Sequence, residues 1–188
     1  MPVGQYSKDE IRKIAEKIGL LVANKPDSQD ICFVPDGDYA SYIEENAGVK
    51  IPEGNFVTLD GKVLGKHKGI IHYTVGQRKG LGLSLGYPAF VLEIRPETNE
   101  VVIGTNEDLM TTTLKANRVN FMSVEDLPEP KRVFAKIRYN HKGAWCTVEK
   151  TGEDEITCTF EEPQRAVTPG QAVVLYDGEY VLGGGTIL

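Results

Sequence analysis

Three cysteines, at positions 32, 146 and 158, are the side chains best suited to nucleophilic or sulfur chemistry. They form neither a CxxC nor a zinc-ligand spacing, so no metal site is expected and a reducing setting with free thiols is the default. Cys32 lies in "KPDSQDICFVPDGD", a short apolar run between a polar turn (Asp27 to Asp30) and a second turn at Pro35, Asp36 and Gly37. Read as a strand, Cys32 shares a face with Val34, and Ile31 shares the other with Phe33. That pattern fits a strand buried on both sides, where burial raises a thiol's pKa and makes it inert. A short strand between turns can also present its side chain at a domain surface, where a thiolate is a nucleophile. No histidine lies near enough in sequence to pair with it, the closest being His67. The residues alone leave both readings open. Cys146 and Cys158 are different. In "AWCTVEK" Ala144, Cys146 and Val148 share one face, and in "EITCTF" Ile156, Cys158 and Phe160 share one face. Both thiols are therefore expected inside, as small buried hydrophobes on adjacent strands, close to being cross-strand neighbours.

A second chemistry is phosphate binding. The chain has 188 residues, is 40% hydrophobic and 26% charged, and carries a formal net charge of −6. Such a balance argues against blanket attraction to nucleic acid but allows a local basic surface. From Gly61 to Leu92 there is no Asp or Glu, while Lys62, Lys66, Lys68, Arg78 and Lys79 are basic. From Lys131 to Val148 the same holds, with Lys131, Arg132, Lys136, Arg138 and Lys142. These windows hold ten of the 21 basic residues and predict a positive surface suited to phosphates. Within them "VGQRKGLG" places Gln77, Arg78 and Lys79 among Gly76, Gly80 and Gly82, which let backbone amides approach an anion closely. It is not a GxxxxGK[ST] loop. "IRYNHKGAW" pairs Arg138 with Tyr139, a combination suited to single-stranded or loop RNA, although strand alternation would put them on opposite faces. Trp145 is expected to be a wall of the barrel.

The elements that must position these residues are mainly β. "SKDEIRKIAEKIGL" is a helix, with Ser7 and Glu10 as a capping box, an apolar stripe of Ile11, Ile14, Ala15 and Ile18, and Gly19 as its stop. Asp36 or Asp38 starts a second helix that Gly48 ends. After residue 48, strand and turn signals take over. Asp60-Gly61 and Asp177-Gly178 predict hairpin turns, and "EDLPEP" is a linker or a long loop. Evenly spaced short strands then predict a closed antiparallel barrel. The expected architecture is a short α-helical segment (1–47), a central β-rich domain (48–114) and an antiparallel β-barrel (115–188). No apolar run reaches the ~18 residues of a membrane span. The opening "MPVGQYSKDE" lacks the basic and apolar regions of a signal peptide. A cytoplasmic protein with no membrane partner is therefore expected.

"YSKDEIRKIAEKIGLLVANKPDSQDICFV", "HKGIIHYTVGQRKGLG", "FAKIRYN" and "VTPGQAVVLYDGEYVLGGG", taken in order over the whole chain, resemble the bacterial tRNA-specific 2-thiouridylase family. The resemblance implies a sulfurtransferase acting on the wobble uridine of certain tRNAs. A cysteine in the position of Cys32 would carry a persulfide received from a sulfur-relay donor protein and deliver it to C2 of the ATP-activated base. By the same resemblance Arg138, Tyr139 and Gln171 match positions that contact tRNA, and the last domain is similar to the second domain of translation elongation factors. The family's SGGxDS nucleotide loop is absent from this sequence. ATP, with Mg, is thus expected on a missing N-terminal domain and no cofactor on these residues. Residues 1–47 would be the remnant of that catalytic domain, and the chain an excised piece or partial gene product, monomeric and inactive alone. The rival reading is a non-catalytic, translation-factor-like RNA-binding barrel. A thiol redox protein would need a CxxC or a nearby resolving cysteine, and neither is present.

Overall fold

A computed structural model describes residues 3–26, 34, 38–48 and 50–188. It divides into two compact units, residues 1–49 and 50–188. The strand expected over 31–34, with Cys32, lies outside the described residues apart from Val34, which is buried. In the first unit, α1 (Lys8–Lys17) is capped as its sequence requires. The Glu10 amide donates to Ser7 Oγ at 3.4 Å and the Ser7 amide donates to Glu10 Oε2 at 2.7 Å. Gly19, at φ +76°, lies just beyond its end. The apolar stripe does not bury itself, for Ile14 and Ile18 are 42% and 65% exposed. The second helix, α2 (Tyr39–Ala47), starts at Asp38, whose carboxylate accepts the Ser41 amide at 3.1 Å. It ends at left-handed Gly48.

The second unit opens with a four-stranded mixed sheet of β1 (Gly54–Val57), β2 (Val63–His67), β3 (Phe90–Arg95) and β4 (Glu100–Gly104), in the order β2-β1-β4-β3. β1 runs parallel to β4, and the other two pairs are antiparallel. β4 is central, so Val101, Val102 and Ile103 are all buried and no alternation survives. The tight Asp60-Gly61 hairpin is replaced by a wider loop: Val57 pairs with Val63, the Thr58 amide bonds Lys62 O at 2.9 Å, and Gly61 sits at φ +83°. Phe56, Tyr73, Leu81, Val91, Val101 and Ile103 form the core of this region.

The remainder closes into a six-stranded antiparallel barrel. Its strands are β5 (Met110–Phe121), β6 (Lys131–Lys136), β7 (Ala144–Gly152), β8 (Glu155–Arg165), β9 (Ala172–Asp177) and β10 (Tyr180–Ile187), in the order β10-β5-β8-β7-β6-β9. Every strand supplies inward residues to one core, among them Leu114, Val133, Val148, Ile156, Leu175 and Leu182. Leu127 of "EDLPEP" is buried in that core, so this segment is a loop of the barrel. Closure depends on glycine in β10: a Cβ on Gly184 would lie 2.2 Å from the Val173 carbonyl oxygen. Trp145 is not an inner wall. It is 43% exposed on the outer face, with the Arg132 guanidinium 4.0 Å from its ring centroid.

Both barrel cysteines face inward and have no exposed surface. Cys146 opposes Phe160 and Cys158 opposes Val148, so the thiols are diagonal neighbours across the β7–β8 pair. The hydrogen bond with Cys146, together with burial, pushes the Cys158 thiol far above its ordinary range. The same bond holds the Cys146 thiol below its ordinary value, but with no exposed surface neither thiol is available as a nucleophile. Cys146→Ala and Cys158→Ala should each lower the unfolding free energy by about 1 kcal/mol, as small cavities in a packed core do. Urea titration of the two variants against the parent chain measures this, and unchanged midpoints would contradict it.

Candidate nucleic-acid interface

The outer face of the barrel carries the candidate site. In β6, Val133 and Ala135 point into the core, which leaves Phe134 and Lys136 outside. The register with β9 pairs Phe134 with Tyr176 and Lys136 with Val174, so these four residues share the outer face. Past Lys136 the chain turns: Ile137 is buried, Tyr139 is 95% exposed, and the His141 amide bonds Arg138 O at 3.1 Å. Arg138 and Tyr139 thus lie on a turn beyond the strand, which releases them from opposite-face alternation. At the head of β9, the Gln171 amide bonds Thr168 O at 3.2 Å, and its carbonyl accepts the Ile187 amide at 2.8 Å. Lys136, Arg138, Tyr139, Gln171, Val174 and Tyr176 line a cavity of about 300 Å³ with no carboxylate in its wall.

Arg138 also faces inward. Its Nη1 donates to Arg165 O at 3.0 Å and to Ala166 O at 3.2 Å. That leaves Nε and Nη2 of the fork to point elsewhere. The arginine that receives this bond reaches the mixed sheet. Arg165 Nε donates to Asn106 Oδ1 at 2.9 Å, Nη2 donates to Gly76 O at 3.4 Å, and the guanidinium lies 5.1 Å from the Phe90 ring centroid. A cavity of about 320 Å³ joins Thr74, Val75 and Gly76 to Arg138, Ala166 and Gln171. The two acid-free windows, far apart in sequence, therefore meet at one place. Arg165 was not signalled by the sequence, because it follows Glu161 and Glu162 and lies outside both windows.

The glycine loop is shaped by its own bonds. The Gly76 amide donates to Val91 O at 2.8 Å and the Gln77 amide to Thr74 O at 3.0 Å. The Gln77 side chain closes the same loop, accepting the Thr74 amide at 3.0 Å and donating to Lys79 O at 3.0 Å. Arg78 and Lys79 are exposed beyond it, and Arg78 borders a cavity of about 530 Å³ over residues 80–89. Two bases of the second window are already neutralised by distant acids. Lys131 meets Asp177 at 2.6 Å, and Arg132 forks onto Glu161 at 2.6 and 3.1 Å. Among the described residues, Lys136, Arg138 and Lys142 of this window, and Lys62, Lys66, Lys68, Arg78 and Lys79 of the other, form no carboxylate salt bridge, and they carry the windows' remaining positive charge.

Three family models cover the chain in succession. A tRNA methyl transferase HUP domain matches residues 1–36, a tRNA methyl transferase PRC-barrel domain residues 40–105, and an aminomethyltransferase β-barrel domain residues 111–187. The chain is 65% identical over 188 residues to a protein of Lachnoclostridium phytofermentans named tRNA-specific 2-thiouridylase MnmA, covering 100% of this chain and 53% of that protein. Proteins of the same name from Clostridioides difficile and Koribacter versatilis are 54% and 52% identical, each over 52% of its own length and over 100% and 99% of this chain. The chain belongs to the tRNA-specific 2-thiouridylase family. It spans about half the length of these curated relatives.

Two histidines of the chain are oriented by the same device. The Gly69 amide donates to His67 Nδ1 at 3.1 Å, so the proton sits on Nε2, which faces Asn99 O at 3.2 Å. Beside the groove, the Ile137 amide donates to His141 Nδ1 at 3.4 Å, and Nε2 faces Gln164 Oε1 at 3.0 Å. Burial, followed by other contributions, holds both imidazoles below the ordinary value of 6.5; for His141 the Arg138 and Lys136 charges act in the same direction. Between the folded and unfolded pKa values the unfolded chain binds more protons. Stability from these groups is therefore full above pH 6.5 and is lost as the solution is acidified below that value toward the folded pKa. Urea midpoints of the parent chain should fall on going from neutral pH into this window. A His67→Gln, His141→Gln double variant, which keeps a side-chain donor, should show a flatter profile there. Parallel profiles would refute the assignment.

Proposed function

We propose that this chain works in 2-thiolation of a tRNA wobble uridine, with Cys32 as the persulfide carrier and the β-rich unit as the tRNA-binding part. Residues 1–47 would belong to the catalytic domain, 48–109 to a central β-domain and 110–188 to the tRNA-binding barrel; the boundary expected at 114 moves because β5 starts at Met110 and Leu114 lies in the barrel core. The observation that carries the reading is the meeting of Arg138, Tyr139 and Gln171 on one carboxylate-free groove, in a chain matched end to end by 2-thiouridylases. A planar fork, an exposed ring and a carboxamide around a groove suit a looped-out RNA segment, with cations on phosphates and the ring on a base. Gln77 would shape the loop that offers Arg78 and Lys79 to the RNA backbone.

Cys146 and Cys158 are committed to the barrel core, which leaves Cys32 as the candidate carrier, and a sulfur-relay donor protein would load it. The persulfide's terminal sulfur would attack the activated C2 and expel the activating group, giving a Cys32–S–S–C2 adduct; a second thiol would then cleave its S–S bond, forming a disulfide with Cys32 and releasing the thiolated base. The full-length protein would use ATP with Mg to activate the base. In the glycine loop the Gly76 and Gln77 amides are already bonded to Val91 O and Thr74 O, so this loop does not offer them to a nucleotide. No activation step is assigned to it. A monomer acting in the cytoplasm completes the proposal.

The test uses this chain as it stands. It is incubated with a cysteine desulfurase and cysteine labelled in sulfur, and the peptides are mapped. Reductant-labile label should sit on Cys32 and vanish in Cys32→Ser, since a hydroxyl of nearly the same size cannot hold a sulfane sulfur. Cys146→Ala and Cys158→Ala should keep it. Label on either barrel cysteine, or label retained in Cys32→Ser, would refute the role given to Cys32.

A further inference from the structure

We infer that the outer face of β6 and β9 forms a subsite for one unstacked nucleotide, with Tyr176 as the base platform and Lys136 as the phosphate contact. The inference rests on the RNA-binding reading above and adds residues that neither the motifs nor the comparisons single out. Three observations carry it. The β6–β9 register places Lys136 beside Val174, and Tyr176 one outward position further along β9, on a surface whose intervening residues, Ala135 and Leu175, are wholly buried. The platform is therefore fixed by the barrel core rather than by a loop. Second, the cavity over this face is about 300 Å³, the low end of the range for small-ligand pockets. That suits a single nucleotide and not a duplex. Third, the charge is one-sided. Lys131 and Arg132 of the same strand are paired with Asp177 and Glu161, whereas Lys136 has no carboxylate partner among the described residues.

Arg138 then acts as a positioning residue as well as a wall. Its Nη1 is tied to the carbonyls of Arg165 and Ala166, which fixes the turn that carries Tyr139 over the groove. Tyr139, at 95% exposure, can close on a base from the side opposite Tyr176. A base held between two rings with its phosphate on an ammonium group is recognised by stacking and charge, so the subsite would tolerate any base and select for an unpaired one.

The probes are an anticodon stem-loop RNA and a fully paired RNA duplex of the same length, titrated against the 188-residue chain over a range of salt. Tyr176→Leu should weaken stem-loop binding by roughly ten-fold, within the span found for loss of one base–aromatic stack, and Tyr176→Phe should restore it. Lys136→Ala should lower the slope of log affinity against log salt by about 0.7, the value for one phosphate of a single strand. Neither change should alter duplex binding. Both positions lie on the outer face, so unchanged thermal melts are expected and would separate binding from folding. If the parent chain binds the stem-loop and both variants match it, or lose stem-loop and duplex equally, the subsite is wrong while the RNA-binding reading stands. If the parent chain binds neither RNA, both are wrong.

Discussion

The peptide groups of Arg165 and Ala166 serve two sheets at once, and the candidate interface depends on them. Ala166 is held in the left-handed region at φ +54°, which an alanine adopts only when its surroundings enforce it. The enforcement comes from both sides. Its amide donates to Leu109 O at 2.9 Å, just ahead of β5, and its carbonyl accepts from Arg138 Nη1 and from Thr168 Oγ1. The Arg165 side chain leaves the same turn and reaches Asn106 and Gly76 of the mixed-sheet region. Gly76 is suited to this approach, since a Cβ there would come within 3.1 Å of the Ala166 Cβ. One strained turn thus sets the spacing between the glycine loop and the barrel groove.

Charge in this protein is decided by pairing in three dimensions. A stretch free of acid in sequence need not be positive in space, because barrel strands bring acids from elsewhere. β8 supplies Glu161 to Arg132, and the end of β9 supplies Asp177 to Lys131. These are exposed pairs, each contributing only about 0–1 kcal/mol to stability. Their larger consequence is selective: they cancel charge at one end of β6 and leave Lys136 at the other. The groove inherits a local positive potential within a chain of net charge −6.

The barrel interior withdraws two of the three cysteines from solvent. Cys146 and Cys158 fill a diagonal of the core and are shielded from solvent, so their thiols act as packing groups. The two histidines follow the same logic on the polar side. Each spends one ring nitrogen on a backbone amide and the other on an oxygen, which fixes ring orientation and leaves no lone pair for a metal or a proton relay.

Local rules were enough for much of this protein. The Ser7–Glu10 box, the Gly19 and Gly48 stops and the inward faces of β7 and β8 follow from spacing, because capping and strand alternation involve residues a few positions apart. The closed barrel followed from the rhythm of strands and turns. What alternation could not supply was anything past a strand's end or across the barrel. Arg138 and Tyr139 lie on a turn, and the hairpin at Asp60-Gly61 widens because a bulge at Phe56 and Val57 shifts the register. The parallel pairing of β1 with β4 is a contact between distant segments that no local pattern encodes. The sequence by itself determined which residues could do chemistry: a cysteine outside the barrel core, two basic windows and an Arg-Tyr pair. Only the tertiary structure decided which bases remain unneutralised and that the windows converge, because both depend on strand register and on the turn at Arg165 and Ala166 that joins them.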